Sequence, residues 1–291
     1  MASVTDISVV VRTHIRPELL DRALTSLRGQ THATFEALVI DDAGTLEARR
    51  IVGRYDSRFV YLRNRRKQGP AGAANEGILA ASAPIVLFLD DDDEAAPTLL
   101  ARTLEAHRTA DFTWCGIRRV VNGVEVERRT WTPDDAESAY LTFLHHRLIG
   151  IAMGGAISRQ LIDRGGLFDE DLREGADGEY IARLLRLRPR LHAIAEPLLT
   201  YHATEGVDTL SKSANSRRVL AHERIMDLHA DTLAAHPDVA AKVYAGLAAQ
   251  HYLLGDRRAA RRAVLRGIRS APWVGRSWKV AVFYEFGLKR R

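Results

Sequence analysis

The feature that most limits what this chain can become is an alternation in its first third. Short apolar runs rich in β-branched residues alternate with segments whose apolar positions recur at helical spacing. Ile7–Val11 is apolar but for Ser8, as suits a strand buried on both faces. Pro17 follows where a first-turn proline is tolerated, and Leu19, Leu20, Ala23, Leu24 and Leu27 then mark one face of a helix. The pattern repeats as strand Phe35–Ile40, helix Leu46–Tyr55, strand Phe59–Leu62, helix Gly72–Ala81, strand Ile85–Leu89 and helix Pro97–His107. It predicts an α/β fold, a mostly parallel sheet with helices on both faces.

The middle of the chain reads differently. Phe112–Val121 and Val124–Thr130 flank Asn122-Gly123, the strongest short hairpin signal. A helix over Glu137–His146, a strand over Ala152–Ile157, an acidic loop over Phe168–Gly178 and a helix over Gly178–Leu187 follow. Strand-like pieces at His192–Ala195 and Leu198–His202 close this part. Beyond about Ser216 everything reads as helix: Pro237–Leu254, a Gly255-Asp256 stop and N-cap, then Arg257–Ser270, ended by Pro272. That pair resembles one tetratricopeptide-type unit, but a single copy is no repeat array. Without a low-complexity linker, the helical part is expected to pack on the main domain. The division expected is 1–215 for the α/β domain and 216–291 for the helical region.

Charge and cysteine usage narrow the setting. No stretch is long and apolar enough to span a bilayer, and the first residues lack the basic n-region of a signal peptide. Cys115 is the only cysteine, which rules out an intrachain disulfide or a cysteine-based zinc site and fits a cytoplasmic setting. From residue 257 onward eleven Lys/Arg face Glu285 alone, a local +10, so the remainder carries −5 against +5 overall. Arg258, Arg262, Arg266 and Arg269 recur at helical spacing, and Ala260, Val264 and Ile268 mark another stripe. Trp273, Trp278, Phe283, Tyr284 and Phe286 then mix with Arg276, Lys279, Lys289, Arg290 and Arg291. Basic residues among aromatics suit peripheral attachment to the inner face of a membrane. A solvated arginine face, with the aromatics capping the domain or joining a homodimer, is the alternative; no nucleic-acid partner is expected.

Chemistry enters at the strand ends, outside which open α/β sheets bind their ligands. Two strands end in acids, Asp41-Asp42 and Asp90-Asp91-Asp92-Asp93. Adjacent carboxylates repel unless a cation or a donor network compensates them, so Asp92→Asn is expected to leave the fold intact or slightly more stable. Mg2+ and Mn2+ prefer such oxygen ligands, while a solvated acidic helix start is the plainer reading. Between the clusters, Gly69-Pro70-Ala71-Gly72-Ala73-Ala74-Asn75 is a glycine-containing turn opening a helix, suited to phosphate approach. It is neither a Walker loop nor a dinucleotide fingerprint.

These blocks, in this order, resemble the inverting GT-A-fold glycosyltransferases of family 2. The resemblance rests on Ile7–Pro17 with Leu20, Ala23, Leu24, Ser26, Leu27 and Gln30-Thr31, and on Phe35-Glu36 through Asp41-Asp42. It continues with Gly69-Pro70 through Asn75-Glu76-Gly77, Phe88-Leu89-Asp90-Asp91-Asp92-Asp93, and Gly166–Glu170 with Asp177 and Arg183. Together they cover roughly residues 6–205. The resemblance implies a GT-A (nucleotide-diphospho-sugar transferase, Rossmann-like) domain that uses Mn2+ or Mg2+. It would move a sugar from a nucleoside diphosphate, uridine as a first guess, to an acceptor hydroxyl. Asp42 matches the acid that reads the base, and His14 an aromatic that stacks on it. Asp90 and Asp92 match the outer pair of the Asp-x-Asp motif, Asp92 as metal ligand. Thr13, Arg16, Gly69, Asn75 and Asp91 fall among donor-binding positions. His202, where a loop closes over the donor in the family, is a second candidate metal or diphosphate contact. Asp177 matches the general base. Arg12, Ile15, Ala74 and Ala176 depart from the pattern; the first three bear on donor choice, the last on how Asp177 is oriented.

Two rivals remain. A haloacid-dehalogenase-type phosphohydrolase also uses a strand-end Asp-x-Asp, but needs it early; here the acids come late and Glu94 follows. A non-catalytic nucleotide-sugar binder is kept open by Ala74 and Ala176. His145-His146, Trp114, Trp131, Tyr140 and Cys115 are read as packing residues, with acceptor stacking as the alternative for the aromatics.

Overall fold

The computed structural model describes residues 5–145, 150–203 and 216–285. His146, Phe286, Lys289, Arg290 and Arg291 lie outside the described residues, as do the side chains of Phe283 and Tyr284.

The apolar run near the start forms β1 (Ile7–Thr13), buried along its whole length. The chain then gives α1 (Pro17–Arg28), β2 (Phe35–Asp41), α2 (Leu46–Val52), β3 (Phe59–Arg63), α3 (Pro70–Ala80), β4 (Ile85–Asp90), the short β5 (Glu94–Ala95) and α4 (Leu99–Ala106). β1 lies between β2 and β4, with β3 beyond β2, and these four strands are parallel. Because successive side chains point to opposite faces, Val10, Leu38, Val86 and Phe88 enter one core with α3, while Val9, Val11, Val39, Leu87 and Leu89 enter another with α1, α2 and α4. Helices therefore cover both faces.

The second half adds β6 (Phe112–Val121), β7 (Val124–Arg129), α5 (Ala136–His145), β8 (Met153–Ser158), α6 (Arg159–Gly165), α7 (Ala176–Arg186) and β9 (Leu191–Ala203). The sheet runs β3-β2-β1-β4-β8-β6-β9-β5, with β7 paired to β6. Its far half is mixed: β4·β8, β6·β8, β6·β7 and β5·β9 are antiparallel, β6·β9 parallel. Asn122 and Gly123 both take positive φ, 50° and 81°, as a two-residue type I′ hairpin requires. The two pieces expected around Pro197 are one strand, because the β6·β9 register shifts at Gly116 and accommodates Ala195 and Glu196 as a bulge. α6 was not legible: it has seven residues, too few for a periodic signal, and is started by the Ser158 hydroxyl accepting from the Leu161 amide.

α8 (Ser216–Leu228), α9 (Ala230–Ala235), α10 (Pro237–Leu253), α11 (Arg257–Ser270) and α12 (Gly275–Glu285) complete the chain. Gly255 takes φ 81° and the Asp256 carboxylate caps α11 through the Ala259 amide, as the sequence predicts. This region packs on the α/β part. Ala221, Ile225, Leu233, Val239, Ala240 and Val243 belong to the same core cluster as Trp114, Phe143 and Tyr180. Trp114 is fully buried and stacks on Trp131 at 5.2 Å, so the tryptophans pack as expected, and Cys115 is buried with its thiol pushed up to about 12.

A polar contact pins the junction. Tyr140 Oη lies 2.7 Å from His229 Nδ1 and 3.0 Å from Thr232 Oγ1, and Arg186 pairs with Asp231 beside them. Burial, with the Arg186 charge adding to it, lowers the His229 pKa to about 4. An unfolded histidine titrates near ~6.5, so the unfolded chain takes up a proton that the folded chain refuses. The stability tied to neutral His229 is complete above that value and is lost as pH falls from it toward the folded pKa. His107, lowered to about 4 by burial, acts in the same direction. His229→Gln keeps a hydrogen-bonding side chain without titrating. Urea unfolding of this variant between pH 7 and 5 is expected to show a shallower loss than the parental chain, and an identical slope would exclude His229 as a contributor.

Candidate active site

Chain order reverses at β1, since β2 and β3 go to one side and β4 to the other. A crevice forms where the carboxyl ends of such strands diverge. Thr13, Asp41 and Asp90 close the three strands, with Arg12 registered against both Ile40 and Asp90.

Burial sorts the acids into two roles. Asp41 is fully buried and accepts from the amides of Ala43, Gly44 and Thr45 and from the Tyr61 hydroxyl, so it builds the loop after β2. Asp42 faces the crevice. Its Oδ1 accepts from Asn64 Nδ2 at 2.6 Å, both oxygens receive the Gly69 amide (3.1 and 3.0 Å), and His14 Nδ1 stands 3.7 Å from Oδ2. His14 is largely exposed, with its ring free to stack. Gly69 takes φ 127°, a conformation closed to most side chains, and so turns its amide onto Asp42.

The same sorting runs through the second cluster. Asp91 and Asp93 point inward, 0% and 2% exposed, while the Asp90 and Asp92 side chains keep 38% and 32% of their surface. Compensation comes from arginines on β1, at the N-cap of α1 and on α1. Arg12 pairs with Asp90 at 2.8 Å, Arg16 with Asp91 at 3.0 Å and Asp92 at 2.6 Å, and Arg22 with Glu94 at 3.4 Å and the Asp92 carbonyl at 2.6 Å. Burial pushes Asp91 up to about 6, against the Thr13 hydroxyl bond at 2.6 Å and Arg16. Burial, then Asp90 and Asp92, hold Asp93 well above its ordinary value.

Three of the expected donor positions lie buried in the fold. Thr13 and Asp91 are buried against each other. Asn75 is 1% exposed, its Oδ1 accepting from the Phe168 amide and its Nδ2 donating to the Phe168 carbonyl and Glu170. These residues brace the crevice from behind. Arg16 also revises the expectation for Asp92→Asn: the like-charge relief is offset by a lost, half-exposed pair, leaving stability within about 1 kcal/mol of the parent. Arg22 and Asn64 were not foreseen. The net positive count of the segment 12–22, facing five consecutive acids, is the signal that points to Arg22.

Asp177 occupies the first turn of α7, its Oδ1 3.3 Å from Arg12 Nη1. Glu179 and Arg183 on the same helix anchor it: Arg183 binds Glu179 at 2.7 Å and donates to the carbonyls of Gly165 and Leu167. Gly150 and Met153 adjoin this turn. Ala74 and Ala176 are buried and offer no polar group.

Among the described residues no three His, Cys, Asp or Glu side chains gather to hold a metal ion by themselves. Mg2+ and related ions, however, are commonly held by one or two carboxylates plus substrate phosphates. Asp92 fits that use, since its side chain keeps 32% of its surface and Arg16 engages Oδ2. His202 lies beside the cluster, its Nε2 2.6 Å from Glu94. A cleft of about 700 Å³ lined by Arg49, Tyr61, Arg63, Arg65 and Glu76 lies beside β3 and includes none of the strand-end acids.

Residues 8–165 match the family described as Glycosyl transferase family 2. Over 109 residues the chain is 37% identical to a GalNAc(5)-diNAcBac-PP-undecaprenol beta-1,3-glucosyltransferase of Campylobacter jejuni, covering 35% of each protein. It spans only about a third of the length of such curated relatives, 34% and 35% in two cases. The fold is similar to S. aureus TarS in complex with UDP-GlcNAc, with a TM-score of 0.64 at 17% identity over 98% of this chain and 93% of that one. It is also similar to the mannosyltransferase PcManGT from Pyrobaculum calidifontis in complex with GDP-Man and Mn2+, with a TM-score of 0.51 at 18% identity over 99% and 82%. At these identities the likeness is one of fold.

One residue at the crevice mouth is strained. Ile15 takes φ 53° and is 63% exposed. The left-handed conformation costs a β-branched residue about 1–2 kcal/mol, whereas asparagine visits it readily. Ile15→Asn is therefore expected to raise unfolding stability by about 1 kcal/mol in urea titration; an unchanged or lower midpoint would contradict the strain.

Proposed function

The chain belongs to glycosyl transferase family 2, and from that premise we propose that it transfers a sugar from a nucleoside diphosphate, a uridine nucleotide first, to an acceptor hydroxyl with inversion at the anomeric carbon. The observation that carries this reading is the span of one guanidinium: Arg12 touches both Asp90, at the nucleotide-side strand end, and Asp177, at the start of α7. An acid on the acceptor side thus lies within one side chain of the donor-side acids. His14 and Asp42 would take the base, the first by stacking and the second as hydrogen-bond acceptor. Arg16, 45% exposed, has donors left for the diphosphate. Mn2+ or Mg2+, held by Asp92 and the donor's own phosphates, would supply Lewis-acid neutralisation of the leaving group. Asp177 would accept the acceptor's hydroxyl proton as that oxygen bonds to the anomeric carbon and the bond to the diphosphate breaks. The neighbours bound to UDP-GlcNAc and to GDP-Man with Mn2+ support this donor class. We further propose residues 1–215 as the catalytic unit and 216–291 as a docking unit.

Nucleotide sugars incubated with Mn2+ test the reading through slow donor hydrolysis, with water in place of the acceptor. Asp177→Asn is expected to lower the rate about 10²–10⁴-fold, the span of a lost general base, while a nucleoside diphosphate binds as before by calorimetry. Full activity in excess EDTA would remove the cation from the proposal, and a parental rate in Asp177→Asn would remove the base.

The docking unit has a specific face. α11 turns Ala260, Ala263, Val264 and Gly267 inward and leaves Arg258, Arg262, Leu265, Arg266 and Arg269 exposed. Among the described residues none of those four arginines forms an ion pair, and Trp273 and Trp278 beside them are 75% and 49% exposed. No helix among the described residues is long and apolar enough to cross a membrane. An anionic bilayer suits this face, each arginine near it contributing on the order of 1 kcal/mol. Ser277 hydrogen-bonds the Ala241 carbonyl in the interior, so surface substitution is a cleaner probe than truncation. The chain is expected to sediment with anionic but not neutral liposomes and to be released by salt. Arg262→Glu with Arg266→Glu should abolish binding; equal recovery with both lipids at low salt would leave the homodimer use of the tryptophans.

A further inference from the structure

Arg12 is a charged residue in a place that ordinarily excludes one. It is the next-to-last residue of β1 and is 8% exposed. A guanidinium there costs several kcal/mol unless its donors are met. They are met from three elements. Nη2 and Nε donate to Asp90 Oδ1 of β4 at 2.8 and 3.3 Å, Nη1 donates to Asp177 Oδ1 of α7 at 3.3 Å, and Nη1 also reaches the Pro70 carbonyl of α3 at 3.5 Å. Burial by itself would lower the Arg12 pKa, yet Asp90 and Asp177 hold it above the ordinary arginine value.

Asp177 has little else to orient it. The N-cap of α7 is Gly175, in a left-handed conformation with no side-chain cap, and the next residue is the buried Ala176. Among the described residues, Arg12 is the hydrogen-bond partner of the Asp177 carboxylate. The position of that carboxylate relative to the donor-side acids is therefore set by the width of one planar fork. We propose that Arg12 is the positioning residue of this site, fixing the Asp177 carboxylate against Asp90 so that the acceptor side and the donor side keep one spacing; the proposal rests on the reading of Asp177 as the base. Lysine would retain the charge without the fork, since an ammonium is a point donor on a flexible stem.

The test uses the full chain and whichever of UDP-GlcNAc, UDP-glucose and GDP-mannose it hydrolyses in Mn2+. Arg12→Met is expected to lower kcat about ten- to a hundred-fold, as small misplacements of a reacting group do. Donor KM should stay within about threefold, because none of the Arg12 hydrogen bonds runs to His14, Arg16, Asp42 or Asp92. Arg12→Lys should recover part of kcat. A variant that raises KM and spares kcat would overturn the proposal and make Arg12 a donor contact. Equal kcat in Arg12→Met and the parent would overturn it too. A thermal-unfolding cycle over Arg12→Met, Asp177→Asn and the double variant reads the contact without activity: non-additive shifts support the tie, additive ones overturn it. Should the parent hydrolyse none of the donors, the base assignment fails first and the proposal with it, a result distinct from an active parent with an indifferent Arg12→Met.

Discussion

Where Arg12 leaves the end of β1 its guanidinium meets the Asp90 carboxylate, and the crevice is arranged around that contact. Five consecutive acids, Asp90 to Glu94, could not sit at one strand end unaided, because their mutual repulsion would open the turn. Arg12, Arg16 and Arg22 supply opposite charge from the neighbouring strand and helix. One oxygen of Asp93 is buried without a hydrogen bond. Burial, with Asp90 and Asp92 adding to it, raises the Asp93 pKa well above its ordinary value. What remains outward is Asp90, the last residue of β4, and Asp92 in the turn that follows it.

The central strands were legible because each is apolar and bounded by turn or cap residues. The hairpin at Asn122-Gly123 and the Gly255-Asp256 break were legible because each needs a backbone conformation or cap that few residues supply. β9 read as two pieces because Pro197 interrupts the donor pattern, and only its pairing with β6 reveals a bulge rather than an end. The site was legible as a set of loops and partly illegible as a set of roles. Spacing brings Thr13 and Asp91 to the strand ends and Asn75 onto α3, but it is burial that turns them inward. Arg12 reads in sequence only as an unusual residue; its meaning depends on Asp177, 165 positions away.

The helical region is continuous with the α/β part in its packing. Tyr140 on α5 meets His229 before α9, and the core cluster under α5 and α7 extends to Val239, Ala240 and Val243. α7 is thus braced from both sides: by Arg183 against the segment 165–167, and by Arg186 against Leu228 and Asp231. The helix that presents Asp177 is held by the part of the chain that bears the arginine face.

A last feature acts at a distance. A Cβ on Gly77 would stand 2.3 Å from Val10 Cγ1, and one on Gly72 would stand 1.8 Å from the Lys67 carbonyl, so α3 rests directly on β1 with no room to spare. The same helix begins at Gly69, whose amide holds Asp42, and carries Asn75, which grips Phe168 and Glu170. α3 is in effect a lever with its fulcrum on Val10 and a hand at each half of the crevice. A single methyl group at Gly77, remote from any sugar or phosphate, would tilt both hands at once. Residue 77 would then govern how the two halves are aligned while touching neither.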